Sequence, residues 1–122
     1  MKPCLIALLA VLSLGANWHT CRVERVIDGD TLVADVRLDF GIVLAGERLR
    51  LIGFDAVELR APGGLAAKAD IERLIAGGCQ ASPGATRYNS RDNFGRLLVF
   101  LHVKDVGDVA AEMRKRGHEK KP

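Results

Sequence analysis

Cys21-Arg22-Val23-Glu24-Arg25-Val26, the dipeptide Asp28-Gly29, and Leu32-Val33-Ala34-Asp35-Val36-Arg37-Leu38-Asp39-Phe40 decide the fold of this chain. The first segment alternates apolar and charged residues, as a half-buried strand does. Asp-Gly is a strong hairpin signal, because both residue types tolerate the backbone angles that a tight turn needs. The third segment carries an apolar residue at every even position, so it predicts a second strand running back along the first. Gly41 and Gly46 bracket the next turn region, and Arg48–Phe54 predicts a third strand. These three strands form an antiparallel meander.

Beyond them, Ala61-Pro62-Gly63-Gly64 breaks the alternation. Leu65–Ile75 then predicts a helix with Leu65, Ala69, Ile71, Leu74 and Ile75 on one broad apolar face. Gly77-Gly78 stops it. Pro83-Gly84 interrupts the following stretch, where a short strand is expected at Ala85–Tyr88. Arg96–Val103 predicts the final strand, and Asp108–Arg116 a short helix capped by Asp108 and ended by Gly117. The expected class is α+β and mainly β. Its architecture is a five-stranded OB-fold-like barrel, with a helix inserted after strand three and a short C-terminal helix.

The 122 residues suffice for one small domain, and 48% of them are hydrophobic. Part of that content lies in Leu5–Leu12, an apolar run preceded by Lys2 and followed by Ser13-Leu14-Gly15-Ala16. A charged start, a short apolar stretch and a small-residue exit match a secretory signal peptide over residues 1–16, the rival reading being a buried first strand or helix of a cytosolic protein. A membrane-spanning helix needs roughly 20 residues, so the mature form is expected off the membrane, secreted or periplasmic. The domain is expected over residues 18–117, as a monomer, and residues 118–122 as a basic tail. Net charge is +3. Residues 114–122 hold Arg114, Lys115, Arg116, Lys120 and Lys121 against Glu119 alone, which leaves the body slightly acidic. Bulk charge therefore gives no case for a polyanionic partner, and the tail reads as a solvated, frayed terminus. Cys4 would leave with the signal, and Cys21 and Cys79 would remain as an even pair. In an exported chain they form either a disulfide or two buried thiols.

Three fragments concentrate charge at the ends of apolar runs. They are Val26-Ile27-Asp28-Gly29-Asp30-Thr31, Arg50-Leu51-Ile52-Gly53-Phe54-Asp55-Ala56-Val57-Glu58 and Asp92-Asn93-Phe94-Gly95-Arg96. Each has a plain reading: turn chemistry for Asp28 and Asp30, a solvated loop for Asp55 and Glu58, structural ion pairs for Arg50 and Arg96. Together they also supply carboxylates able to hold a hard cation and guanidiniums able to hold a phosphate, the groups of a metal-assisted phosphodiesterase.

The order and spacing of these fragments resemble the staphylococcal nuclease (thermonuclease-like) family, from about Thr20 to Gly117. The resemblance implies a Ca²⁺-dependent endonuclease that cuts DNA or RNA and leaves 3′-phosphate ends. It implies that Asp30 and Asp55, with the Ala56 carbonyl, bind Ca²⁺. Glu58 would position or deprotonate the attacking water, Arg50 and Arg96 would hold the scissile phosphate, and Phe94 would offer a stacking face to substrate. The chain departs from the family pattern in several places. Val57 stands where a proline often follows, and Phe94 replaces a tyrosine. A lysine-rich loop is reduced to Arg60-Ala61-Pro62-Gly63-Gly64, and the last helix of longer members has no counterpart before Pro122.

Overall fold

A computed structural model describes residues 18–84 and 90–122. The signal-peptide expectation and the strand expected at Ala85–Tyr88 fall largely or wholly on other residues. Strand β1 (His19–Asp28) pairs antiparallel with β2 (Thr31–Arg37), which pairs antiparallel with β3 (Val43–Leu51). Helix α1 (Gly64–Ile75) follows, then β4 (Cys79–Pro83), β5 (Leu97–Val103), the short β6 (Gly107–Asp108) and α2 (Val109–Lys115). β4 lies between β1 and β5, and β5 closes the barrel by running parallel to β3, with Arg50 opposite Leu98. Among the described residues the result is a closed five-stranded mixed barrel with one extra strand and two helices, one inserted after β3 and one C-terminal. Among the described residues no helix is long and apolar enough to cross a membrane.

Period-two burial along β5 (Val99, Leu101 and Val103 in, Phe100 and His102 out) and continuous burial of Thr31–Ala34 in β2 fill the interior. Leu32, Leu49, Leu51, Phe54, Ile71, Leu101 and Met113 form its buried centre. α1 covers one end of the barrel with Ala67, Ile71, Leu74 and Ile75. This corrects the expected face, because Leu65 is exposed. At about 100° per residue Leu65 points nearly opposite Ala67, so the small residue rather than the large one starts the buried stripe. α2 is capped as expected, the Ala111 N–H donating to Asp108 Oδ2 at 2.9 Å.

Several strand boundaries differ from the sequence reading, among them the end of β3 at Leu51 rather than Phe54. β2 ends at Arg37, and a 3-10 turn at Asp39–Gly41 reverses the chain with Phe40 fully exposed in the left-handed region. β3 starts at Val43, five residues early, because Asp35 Oδ1 accepts the Gly46 N–H at 2.8 Å across a bulge and carries the ladder through the glycine.

Cys21 and Cys79 sit directly opposite each other on β1 and β4, as two free, buried thiols. The hydrogen bond with Cys79 and burial push the Cys21 thiol up, so it stays protonated. The terminal residues also correct the reading of a frayed tail. Glu119 forms a bridge to Ala56, the Val57 N–H donates to the His118 carbonyl at 3.0 Å, and the Lys120 N–H donates to the Asp55 carbonyl at 2.7 Å.

Candidate active site

The turn after β1 places Asp30 at the mouth of the barrel, 9% exposed. Gly29 allows this through size: a β-carbon there would lie 2.7 Å from the Ala56 β-carbon and 3.0 Å from that of Ala67. Only a hydrogen fits where the turn crosses the loop after β3 and the first turns of α1. Asp30 Oδ2 accepts the Ala56 N–H at 2.8 Å, and Oδ1 accepts the Thr31 hydroxyl at 2.8 Å. Burial, opposed in part by the Ala56 N–H, raises the Asp30 carboxyl above its ordinary range, and neighbouring Asp28 adds to the rise.

Arg50 reaches the same point from β3. Its Nη1 donates to the carbonyls of Leu51 at 2.7 Å and Phe54 at 2.6 Å, which fixes the guanidinium plane. Nη2 pairs with Asp55 and lies 3.6 Å from Asp30 Oδ2. The two carboxylates expected to hold a cation therefore converge on one guanidinium. Among the described residues no three histidine, cysteine or acidic side chains come together in the manner of a preformed metal site.

Arg96 enters from the turn before β5. Its Nε donates to Asp92 Oδ2 at 2.7 Å, its backbone N–H donates to Oδ1 of the same carboxylate at 2.9 Å, and its guanidinium lies 5.4 Å from the Phe94 ring centroid. Asp92 thus organises the whole turn, accepting from the Phe94 N–H as well. Those backbone and guanidinium bonds outweigh burial and lower its carboxyl. Phe94 itself is largely exposed.

Arg50, Asp55 and Arg96 line one open cleft of ≈ 430 Å³, together with Asp92, Glu119 and Lys120. Asp30 lies beside it, through Arg50 and Ala56. Glu58 does not line that cleft. It faces an adjoining groove of ≈ 520 Å³ bounded by Pro62, Gly63, His118 and Lys121, and Lys120 stands between the two. Lys120 Nζ lies 2.9 Å from Glu58 Oε1, and that contact holds the exposed Glu58 carboxyl below its usual range. Gly64 brings α1 against the same loop, since a β-carbon there would lie 2.1 Å from the Glu58 carbonyl oxygen.

The structure thus brings together five of the expected residues, Asp30, Arg50, Asp55, Ala56 and Arg96. It keeps Phe94 at the rim and Glu58 one residue's width away. Sequence reasoning missed Asp92 and Lys120 as parts of the site. The Asp92–Arg96 spacing around Gly95 is a recognisable turn-and-pair signal, whereas nothing local marks Lys120. Comparison with models of known protein families and with curated proteins finds no match to this chain.

Proposed function

We propose that the chain is a Ca²⁺-dependent endonuclease that hydrolyses phosphodiester bonds of DNA or RNA, leaving 3′-phosphate ends. The observation that carries the reading is the pair of guanidiniums, Arg50 and Arg96, lining one cleft beside Asp55. Arg96, held through Nε by Asp92, and Arg50, whose plane two carbonyls fix and whose Nη2 would exchange Asp55 for phosphate, would take the nonbridging oxygens.

The donor set fits a hard cation. Asp30 and Asp55 offer carboxylate oxygens and Ala56 a carbonyl, the donor types a hard cation takes, and both carboxylates face Arg50, whose place beside them a cation would share. When bound, Ca²⁺ would offset charge on the phosphate and orient a water. In the chain itself, Arg50 and Arg96 hold the phosphate and stabilise the charge that builds as the attacking oxygen bonds to phosphorus and the P–O5′ bond breaks, the departing 5′ oxygen taking its proton from solvent. Glu58 takes the proton of the attacking water, for which it must be ionised, as its contact with Lys120 favours. Asp92 fixes the direction of Arg96. The exposed ring of Phe94 gives a base a face on which to stack.

A second reading, a non-catalytic nucleic-acid or protein-binding module on the same barrel, is favoured by one observation: Glu58 is tied to Lys120 outside the arginine cleft. Digestion of plasmid and RNA by the wild type and by Glu58→Gln, each in Ca²⁺ and in EDTA, separates the two. Cleavage that needs both Ca²⁺ and Glu58 supports the nuclease. Binding without cleavage in saturating Ca²⁺ supports the module.

A further inference from the structure

We propose that His118–Lys120 is a strap that positions the Asp55–Glu58 loop, with the His118–Asp70 pair as its latch to α1. The loop carries Asp55, Ala56 and Glu58, yet it belongs to no strand or helix, so something must fix its backbone. The strap does so on three successive residues. The Lys120 N–H donates to the Asp55 carbonyl, Glu119 bridges Ala56, and the Val57 N–H donates to the His118 carbonyl. That last bond requires a residue with a backbone N–H at position 57, which a proline there would lack. Lys120 adds a side-chain contact to Glu58 at 2.9 Å.

A strap holds only if it is anchored elsewhere. The His118 ring is 12% exposed and its Nε2 lies 2.6 Å from Asp70 Oδ2 on α1. Asp70 also meets Arg73 and Arg116, so its carboxylate is held from three sides. A second anchor lies on the other flank, where Arg114 Nε donates to Glu119 Oε2 at 3.1 Å and its Nη2 to the Gly53 carbonyl at 2.5 Å. The short sequence between Gly117 and Lys120 is therefore tied to both helices and to the loop. Its consequence for cleavage rests on the nuclease reading, whereas the anchoring does not.

The test uses the full chain with His118→Ala and with His118→Gln, which keeps an amide donor for Asp70. Amide hydrogen exchange is followed at Val57 and Lys120, with β5 amides as the reference for global opening. Alongside it, kcat and KM are measured on an oligonucleotide in Ca²⁺. In His118→Ala the two strap amides are expected to exchange about tenfold faster or more while β5 stays protected. The same variant is expected to lose about tenfold or more in kcat with KM little changed, as misplacement of a catalytic loop does. His118→Gln is expected to restore much of both. Equal protection of Val57 and Lys120 in His118→Ala overturns the latch, and faster exchange with unchanged kcat overturns the positioning role. If the wild type cleaves nothing, the nuclease reading fails on its own, and the exchange comparison alone decides the strap.

Discussion

The ammonium of Lys120 lies 2.9 Å from Glu58 Oε1, between a cleft lined by two arginines and a groove lined by Glu58. Both side chains are largely exposed, so the pair is screened by solvent and adds little to folding. Lys120→Ala is therefore expected to leave the melting temperature near that of the wild type. Glu58→Gln is expected to do the same while lowering kcat by about 10²–10⁴, the usual worth of a positioned base. Calorimetry beside a cleavage assay reads both. A Glu58→Gln protein that cleaves at the wild-type rate removes Glu58 from the mechanism.

Arg50 is a structural residue and, on the proposed function, a chemical one as well. Its guanidinium closes two carbonyls, meets Asp55 and approaches buried Asp30. Arg50→Ala leaves those acceptors short of donors, so a loss of about 2 kcal/mol in unfolding free energy is expected together with loss of cleavage. Arg50→Lys cannot reproduce the fork and is expected to recover charge without recovering rate. Urea unfolding and single-turnover cleavage measure the two effects separately. A fully active Arg50→Lys contradicts the role of the fork.

Gly29 marks a close approach between the turn after β1 and the loop that carries Ala56. Gly29→Ala forces a β-carbon against Ala56 and Ala67, and a cost of about 1–3 kcal/mol is expected, as for other overpacked sites. Adding Ala56→Gly removes the nearer of the two obstacles and is expected to return part of that stability. Additive losses in the double variant, read by denaturant midpoints, count against this account.

The acid limb of stability should report the latch. The His118 ring, then Arg73, holds the Asp70 carboxyl below its ordinary value, with Arg116 also facing it. A depressed carboxyl contributes stability that is fully present above the ordinary carboxylate range and is lost as pH falls through its lowered value. Between the upper edge of that range and more acid pH, the wild type is expected to lose stability more steeply than Asp70→Asn. Midpoints of urea unfolding across that interval provide the check, and parallel curves would falsify the linkage.

The barrel was legible because its signals are local and periodic. Val99, Leu101 and Val103 alternate with outward residues, Asp108 caps α2, and Gly77-Gly78 ends α1. The missed start of β3 has a specific cause: Val43–Glu47 contains a glycine and reads as a turn, whereas backbone pairing of Val43, Leu44 and Glu47 with β2, with Asp35 bonding the Gly46 N–H, keeps it in the sheet. The arginines and carboxylates of the candidate site were singled out by the joint order and spacing of three charged fragments, none of them specific alone. Lys120 was not, since its place depends on backbone pairing between Ala56 and Glu119, distant in sequence and without a pattern in either. The same long-range pairing turned an apparently frayed end into part of the site.

Arg50 stands opposite Leu98 where β3 and β5 run parallel, and Arg96 lies just before β5 on the same side. The two guanidiniums thus belong to opposite lips of the seam that shuts the barrel. A chain with every hairpin formed but that seam still open has both arginines and no place to grip a phosphate between them. If the two arginines hold a phosphate as proposed, its binding gauges barrel closure, and a ligand bridging the two lips would act as a clasp on the fold itself.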